Sequence, residues 1–158
     1  MAAELGRERV QSRIRPLHAA DAEAVSDILR ESPGAVVWPV TSVREVLEWQ
    51  GIVALASEVE GRVCGLLIGR QIGDEAEILN LALTERHRRK GEGGALLTAA
   101  METLRSQGVS RVFLEVRESN HAAKAFYYKH GFSKTGRREG YYRNPAEAAV
   151  VMEKSLIS

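Results

Sequence analysis

Residues 76–104 read AEILNLALTERHRRKGEGGALLTAAMETL, and this stretch decides the fold. Its apolar run, Ala76–Leu83, predicts a central β-strand that is covered on both faces. Apolar residues at helical spacing over 96–104 predict an amphipathic helix. Between the two lie a basic stretch, 86–90, and a glycine cluster, 91–94. The sequence therefore predicts a strand, a basic glycine-rich loop and a helix in succession.

This glycine loop, residues 88–95, has the properties of an anion-binding site. A helix start leaves its first amides unpaired, and the helix dipole adds about half a positive charge there. Glycines let an anion approach those amides, and the basic residues add positive potential. The physical interpretation is a phosphate or pyrophosphate site, compatible with Glu92 only if that carboxylate points to solvent. A glycine-rich turn with a solvated basic face is the alternative.

The familiar nucleotide-binding motifs do not fit the glycine loop. A P-loop needs Gly, four residues and then Gly-Lys-Ser/Thr, which this stretch lacks. A dinucleotide-binding fingerprint needs a third glycine where this chain has Leu96. It also needs a turn directly after the strand, whereas here seven residues separate Leu83 from Gly91. Neither nucleotide class is supported.

The rest of the chain predicts the order β-α-α-β-β-β-α-β-α-β-β. Ile14–Leu17 predicts an edge strand, and Val109–Val116 predicts a further strand. Asp21 and Asn120 predict N-caps, and Ser42 with Glu45 predicts a capping box. Two hairpins are predicted as well: Ile52–Val59 with Arg62–Ile72, and Phe132–Arg138 with Ala146–Lys154. This order predicts an α/β (α+β) fold, a mixed seven-stranded sheet with about four helices on its faces.

Length and charge narrow the classes of protein. The 158 residues suit one domain, which we place at 13–158 behind a polar leader at 1–12. A formal net charge of +1 argues against a protein that mainly grips nucleic acid. We find neither an apolar run long enough to span a membrane nor the apolar core of a signal peptide. These features predict a cytoplasmic protein with no membrane partner.

The single cysteine and the four histidines predict no metal. Cys64 excludes a disulfide framework and a cysteine-rich zinc site, and it suits a small core residue in a reducing compartment. The histidines show no metal-ligand spacing. We therefore expect no metal cofactor.

Two motifs resemble the GNAT N-acetyltransferase superfamily. The loop from Arg88 to Gly93 resembles its Arg-x-x-Gly-x-Gly/Ala acetyl-CoA motif. FLEVRESNHAAKAFYYKHGF, residues 113–132, is similar to a string of the bacterial ribosomal-protein alanine N-acetyltransferase branch. LNLAL at 79–83 also matches, and the resemblance covers residues 50–155. It implies a GNAT-like, mostly antiparallel twisted sheet.

The resemblance also implies a cofactor site and a catalytic pair. Acetyl-CoA would contact the end of the central strand, the glycine loop and one asparagine: Leu81, Ala82, Leu83, Arg88, Arg89, Lys90, Gly91, Glu92, Gly93, Gly94, Ala95 and Asn120. Glu115 would take a proton from the amine, and Tyr127 would protonate the leaving thiolate. Because an α-ammonium has a pKa of about 7.7–8, a base is useful at neutral pH. The alternatives are a salt bridge to an arginine for Glu115 and a core position for Tyr127.

The acceptor is less closely defined. The resemblance implies a protein N-terminal α-amine, the alanine of a ribosomal protein, attacking the thioester directly in a ternary complex. Trp38, Tyr141 and Tyr142 would line the acceptor site. Trp38–Pro39 reverses the order usual in the branch, and Ala148 stands where an acidic residue is expected. A small-molecule amine acceptor and a non-catalytic RNA- or ribosome-binding module remain alternatives, and we expect a monomer or weak dimer.

Overall fold

The computed structural model describes residues 12–157, which form one seven-stranded sheet with helices on both faces. The strands are β1 Arg13–Pro16, β2 Ile52–Val59, β3 Arg62–Ile72, β4 Glu75–Leu83, β5 Arg111–Arg117, β6 Ser133–Tyr142 and β7 Glu147–Ser155. The helices are α1 Ala22–Arg30, α2 Val40–Leu47, α3 Glu92–Ser106 and α4 His121–Lys129. The predicted fold class and element order are confirmed. The predicted leader, apart from Ser12, lies outside the described residues.

The sheet has the order β1-β2-β3-β4-β5-β7-β6 and one parallel pair, β4 with β5. The remaining neighbours pair antiparallel. Pro16 ends the edge strand, where its missing amide costs no ladder bond. Since parallel strands need a crossover, α3 connects β4 to β5 and packs across the sheet.

Two hydrophobic cores lie on opposite faces of the sheet. The first is built on α3 and α4, with Leu97 and Leu104 against strand residues such as Val112. The second is built on α1 and α2, with Val25 and Val43 among its fully buried residues. The central strands contribute to both cores, so they are covered on both sides as predicted.

Asp21 occupies the N-cap position predicted for the first helix, but neither N-terminal helix has the side-chain cap that the sequence predicts. A 3-10 turn, Ala19–Asp21, precedes α1, and the Asp21 carboxylate accepts the His18 amide hydrogen bond at 2.8 Å instead of capping the helix. Asp21 also pairs with Arg15 at 2.8 Å, which lowers the pKa of that carboxyl. Helix α2 begins at Val40 behind Pro39, so Ser42 lies inside it. Proline can start a helix because the first amides need no partner.

Strands β5 and β6 start later than predicted, and both do so for the same physical reason. Val109 and Phe132 each follow a glycine that ends a helix with positive φ, Gly108 and Gly131. The Val109 amide donates to the Leu104 carbonyl at 3.0 Å, and the Phe132 amide donates to the Tyr127 carbonyl at 2.9 Å. These bonds belong to the helix stop, and both apolar side chains are buried against it.

Within residues 12–157, no helix combines the length and the apolar character that a bilayer crossing requires.

The core on the α1–α2 face sets stability, and two isoleucines of β3 test this. Ile68 is fully buried, whereas Ile72 on the same strand is 69% exposed. Ile68→Ala should lower the free energy of unfolding by about 2–5 kcal/mol, since it leaves a cavity. Ile72→Ala, the matched control, should change it by about 0.5 kcal/mol or less. Urea unfolding measures both, and equal losses would contradict this assignment of the core.

Candidate active site

The site begins where β4 and β5 separate. Their parallel ladder has three residue pairs, from Glu75–Arg111 to Glu77–Phe113. Beyond Glu77, β4 keeps its pairing with β3, and β5 keeps its pairing with β7. The β4 edge that faces β5 is therefore left without a ladder partner among the described residues. Predicted contacts of Leu81–Leu83 with a cofactor arm fall on this edge.

A β-bulge in β4 changes which side chains face which core. Ile68 pairs with Asn80 and Gly69 with Ile78, so Leu79 is the extra residue. Ile78 packs on the α3 side before the bulge, and Leu81 and Leu83 pack on that same side after it. Without the bulge, strict alternation would turn Leu81 to the opposite face.

A cavity of about 130 Å³ lies between the separated strands. Its walls are the segments Pro33–Val36, Ile78–Leu81 and Leu114–Val116. Asn120, Ala123, Tyr127 and Tyr142 complete them. The predicted catalytic pair, Glu115 and Tyr127, is thus brought to one cavity although β5 and α4 contribute them separately.

Glu115 is a nearly buried carboxylate that forms an ion pair through one oxygen. Its side chain is 9% exposed, and Oε1 accepts a hydrogen bond from Arg138 Nη1 at 2.8 Å. Oε2 is fully buried and has no hydrogen-bond partner of normal geometry among the described residues. The predicted alternative for Glu115, a salt bridge to an arginine, is present, but it engages only Oε1. A buried acceptor without a donor is unusual and marks a place for one.

Acidic and phenolic groups gather around Glu115. Burial raises the pKa of Glu77, and the charge of Glu115 raises it further. The Tyr141 hydroxyl lies close enough to the Glu115 carboxylate for a hydrogen bond, and this contact, together with burial, raises the pKa of Tyr141 to about 12. Arg138 lies over the Tyr141 ring, 5.4 Å from its centroid, and its side chain is 58% exposed. Glu115 therefore stands near a second carboxyl group, a phenol and the guanidinium of Arg138.

Tyr127 supplies a protonated hydroxyl to the same cavity. The residue is 7% exposed, and its ring is held edge-on by Phe126 at 5.1 Å and Phe132 at 5.4 Å. Burial raises the pKa of Tyr127 well above its usual range. The hydroxyl therefore keeps its proton at neutral pH, as a proton donor must.

Asparagine side chains hold the cavity walls. Asn120 caps α4, as predicted, by accepting the Ala123 amide hydrogen bond at 3.1 Å. Buried Asn80 fastens the Pro33–Val36 segment to β4: its Oδ1 accepts from the Val36 amide at 3.2 Å, and its Nδ2 donates to the Val36 carbonyl at 3.0 Å. Gly34 has φ +79°, and a Cβ there would overlap the Asn120 amide nitrogen.

The glycine loop borders a second, larger cavity of about 820 Å³. It lies at the start of α3 and is lined by Gly91, Gly93, Gly94 and Lys129, among others. Gly91 has φ +83°, and no side chain caps this helix start. The first helical amides are therefore free to bind a ligand. A Cβ on Gly94 would come within 2.8 Å of His130, so glycine permits this close approach.

The charged residues of the glycine loop divide into two groups. Arg89 and Lys90 are exposed, and Arg89 lines the large cavity. Arg88 instead donates to the Leu83 carbonyl at 3.1 Å and to the Glu31 carbonyl at 3.2 Å, so it ties the loop to the fold. Glu92 turns to the buried thiol of Cys64, 3.6 Å away, and is half-buried rather than pointing to solvent. This position keeps its carboxylate away from an anion on the helix amides.

Of the predicted acceptor residues, the structure brings only the tyrosines to the cavity. Tyr142 lines it, and Tyr141 packs edge-on against Tyr142 at 4.9 Å. Trp38 packs on the α1–α2 core, and its carbonyl accepts a hydrogen bond from Ser26 Oγ at 2.8 Å. Trp38 therefore shapes the neighbouring segment without lining the cavity.

Three residues of the site, Glu77, Asn80 and Arg138, were not among those predicted from the sequence. Glu77 stands in the same strand as the predicted cofactor contacts, and a carboxylate in a strand covered on both faces was an available signal. Asn80, a polar residue in the same covered strand, offered a weaker signal of the same kind. Arg138 offered none, because its partner Glu115 lies 23 positions earlier.

The fold is one that known acetyltransferases share. The chain superimposes on the crystal structure of the ribosomal-protein-S18-alanine N-acetyltransferase from Escherichia coli with a TM-score of 0.85. That likeness covers 94% of this chain and 96% of the other, at 27% identity. The architecture is therefore that of an N-acetyltransferase.

Residues 22–132 match the Acetyltransferase (GNAT) family, and the chain belongs to this family. A Bacillus subtilis (strain 168) relative is 29% identical over 91% of this chain and 95% of its own length. The ribosomal protein bS18-alanine N-acetyltransferase of Escherichia coli (strain K12) is 36% identical over 94 residues. That match covers 58% of this chain and 64% of the relative, a little under two thirds of it.

The contact between Gly34 and Asn120 can be tested with a matched glycine. Gly61, in the β2–β3 turn, has φ +77°, and a methyl group placed on it would meet nothing within 4 Å. Gly61→Ala should cost about 1–2 kcal/mol of stability for the left-handed backbone alone. Gly34→Ala should cost about 0.5–2 kcal/mol more, since it also displaces the α4 cap. Urea unfolding of both variants gives the difference, and equal losses would rule out the contact.

The raised pKa of Tyr127 makes stability depend on alkaline pH. Because the folded state holds the proton more tightly, this contribution is present below the unfolded pKa of about 10 and is lost as pH rises above it. Wild type should therefore lose about 1.4 kcal/mol per pH unit more than Tyr127→Phe. Tyr128→Phe, at a half-exposed position, is the control and should follow wild type. Urea unfolding between about pH 8 and 11 measures this; identical slopes for all three proteins would contradict it.

Proposed function

We propose that this protein is an acetyl-CoA-dependent N-acetyltransferase that acts on a protein N-terminal α-amine. The observation that carries the proposal is the nearly buried Glu115 carboxylate, whose Oε2 has no well-formed hydrogen bond among the described residues and which shares a cavity with the protonated hydroxyl of Tyr127. An acceptor amine would supply that hydrogen bond. The family supports the reaction type, and the named Escherichia coli relative supports an N-terminal alanine of ribosomal protein bS18 as acceptor.

The residues present fit acetyl-CoA. Its diphosphate suits the free amides at the start of α3, where glycines 91, 93 and 94 keep side chains away. Exposed Arg89 and Lys90 add positive charge, and the large cavity has room beside them. Its pantetheine arm suits the β4 edge at Leu81–Leu83, which has no ladder partner on the β5 side. When bound, acetyl-CoA supplies the acetyl group as a thioester.

Glu115 and Tyr127 then act as base and acid. Glu115 Oε2 accepts a proton from the acceptor ammonium, directly or through one water, so that the neutral amine can attack the acetyl carbon. Tyr127 donates its phenolic proton to the sulfur as the carbon–sulfur bond breaks. The nitrogen loses its second proton as the amide forms, and that proton restores the Tyr127 phenol through water, while the thiol leaves with the original tyrosine proton. Arg138 balances the charge on Glu115 through Oε1 and leaves Oε2 to the amine.

Cavity size favours a small first residue. A volume of about 130 Å³ holds about four water molecules. That volume suits an acetyl group and an α-amine that carries a methyl side chain. Exposed Val36, Val37 and Tyr141 near the cavity mouth offer apolar surface to the residues that follow. An alanine N-terminus therefore fits better than a bulky one, and a ribosomal acceptor would place the reaction in the cytoplasm.

Turnover with matched glutamate variants tests the proposal. Glu115→Gln should lower kcat by about 10²–10⁴-fold, because it removes the base while keeping the size of the side chain. Glu118→Gln is the control: this residue lies three positions on and pairs with Arg137 at the surface. It should retain activity. CoA release with acetyl-CoA and a peptide that begins Ala-Arg is the measurement, and full activity of Glu115→Gln would remove the assignment.

An acceptor panel separates the remaining alternatives. Peptides that begin with Ala or Trp are compared with a polyamine, free amino acids and an aminoglycoside. Preference for the Ala peptide supports the proposal, whereas preference for a free amine identifies a small-molecule acetyltransferase. Strong RNA binding with a steep salt dependence and no thermal shift with acetyl-CoA would favour the non-catalytic alternative.

A further inference from the structure

Three potential metal ligands from separate elements lie close together at the glycine loop. The ligating atoms of Cys64 in β3, His87 before the glycine loop and Glu92 at the start of α3 all lie within 4.8 Å of one another. Cys64 is 3% exposed, and the other two are half-buried. A buried thiol next to a carboxylate and an imidazole is a different arrangement from an exposed acidic cluster.

The fold holds these residues together by specific contacts. Ser57 pairs with Gly65 and Glu58 with Val63, so Cys64 is the extra residue of a bulge. Its carbonyl accepts the Thr84 amide hydrogen bond at 2.8 Å, which brings the end of β4 beside it. The Glu92 carboxylate lies 3.6 Å from the thiol sulfur.

His87 is oriented as metal-binding histidines usually are. Its Nδ1 lies 2.7 Å from Thr84 Oγ1. Metal-bound histidines commonly use one ring nitrogen for such a hydrogen bond and the other for the metal. With its proton on Nδ1, His87 would donate to Thr84 Oγ1 and leave Nε2 for the metal.

We propose that Cys64, His87 and Glu92 form a binding site for a divalent transition metal, zinc by preference, that holds residues 88–91 of the glycine loop from both ends of that segment. One sulfur, one nitrogen and one oxygen suit zinc, which takes them at about 2.0–2.3 Å and accepts a fourth, external ligand. A thiolate and a carboxylate balance the two charges of the ion. This departs from the expectation of no metal, which rested on spacing along the sequence.

None of the three residues lines the large cavity. His87 precedes Arg88 and Glu92 follows Gly91, so a metal that joins both to β3 fixes the ends of the segment between them. A loop fixed before binding loses less conformational entropy when it binds an anion. The metal should therefore tighten acetyl-CoA binding, an effect that rests on the proposed function.

Cobalt as a spectroscopic probe tests the metal site without acetyl-CoA. Apo protein under a non-chelating reductant is titrated with Co²⁺ and then with Zn²⁺. We expect one-to-one binding with a thiolate charge-transfer band and intense tetrahedral d–d bands, both displaced by Zn²⁺. Since Cys64 is the one cysteine of the chain, such a band assigns the ligand. Absence of the band in folded protein overturns the proposal.

Variants separate the three-ligand site from a bare thiol. Cys64→Ala should abolish the band, and His87→Ala and Glu92→Gln should each weaken Zn²⁺ binding by about tenfold or more. Thr84→Val should weaken it by about 10–100-fold. Exposed His18→Ala and Glu45→Gln are the controls and should bind as wild type does. Circular dichroism confirms that each variant is folded, and unchanged affinity in both His87→Ala and Glu92→Gln overturns the proposal.

The effect on the glycine loop is measured by calorimetry with coenzyme A. Wild type should bind it about fivefold or more tightly with Zn²⁺ than with a chelator, and Cys64→Ala should show no difference. Equal affinities in wild type overturn the linkage to the loop. Failure of coenzyme A to bind under either condition would contradict the proposed function, whereas the cobalt spectrum reports on the metal site independently.

Discussion

The parallel pairing of β4 with β5 stops after three residue pairs, and the site depends on this interruption. The crossover through α3 makes the two strands parallel, so their carboxyl ends lie at the same edge of the sheet. Ligands of open α/β sheets bind at such ends. Here the separation opens a cavity, leaves backbone of β4 unpaired and sets the start of α3 beside both. The separation of β4 from β5 therefore positions both the unpaired backbone that can bind a ligand and the side chains that line the cavity.

The same separation joins the two faces of the sheet. Tyr127 belongs to the core on the α3–α4 face, whereas Glu115 alternates with the residues that β5 buries there and so points to the other face. In a continuous sheet, backbone would stand between them. The cavity lets a phenol from one face and a carboxylate from the other reach the same volume. Burial keeps the Tyr127 hydroxyl protonated, and the Arg138 guanidinium balances the charge of the Glu115 carboxylate. The two environments therefore suit an acid and a base, respectively.

Much of this arrangement could be predicted from local patterns. Strands β2 and β3 begin and end where the two apolar runs on either side of Glu60–Gly61 place them, and Asn120 caps α4. The misplaced boundaries at Val109 and Phe132 come from helix-stop contacts that an apolar run does not distinguish from a strand. The cofactor and catalytic roles came from family resemblance, and they remain predictions. Long-range partners such as Arg138, and the meeting of Cys64 with His87, were beyond reach because spacing along the chain says nothing about them.

Glu92 belongs both to the glycine loop, which could be identified from the sequence, and to the cluster with Cys64 and His87, which could not. A carboxylate in the first turn of α3 suits the helix dipole but would repel a diphosphate bound to the same amides. The fold resolves the conflict by turning Glu92 toward Cys64, so the positive end of the helix stays open to an anion. That turn also buries part of a carboxylate beside a thiol whose pKa burial raises, an arrangement with little intrinsic benefit. The proposed cation would offset this cost. The proposed metal and the proposed diphosphate would therefore favour the same orientation of Glu92.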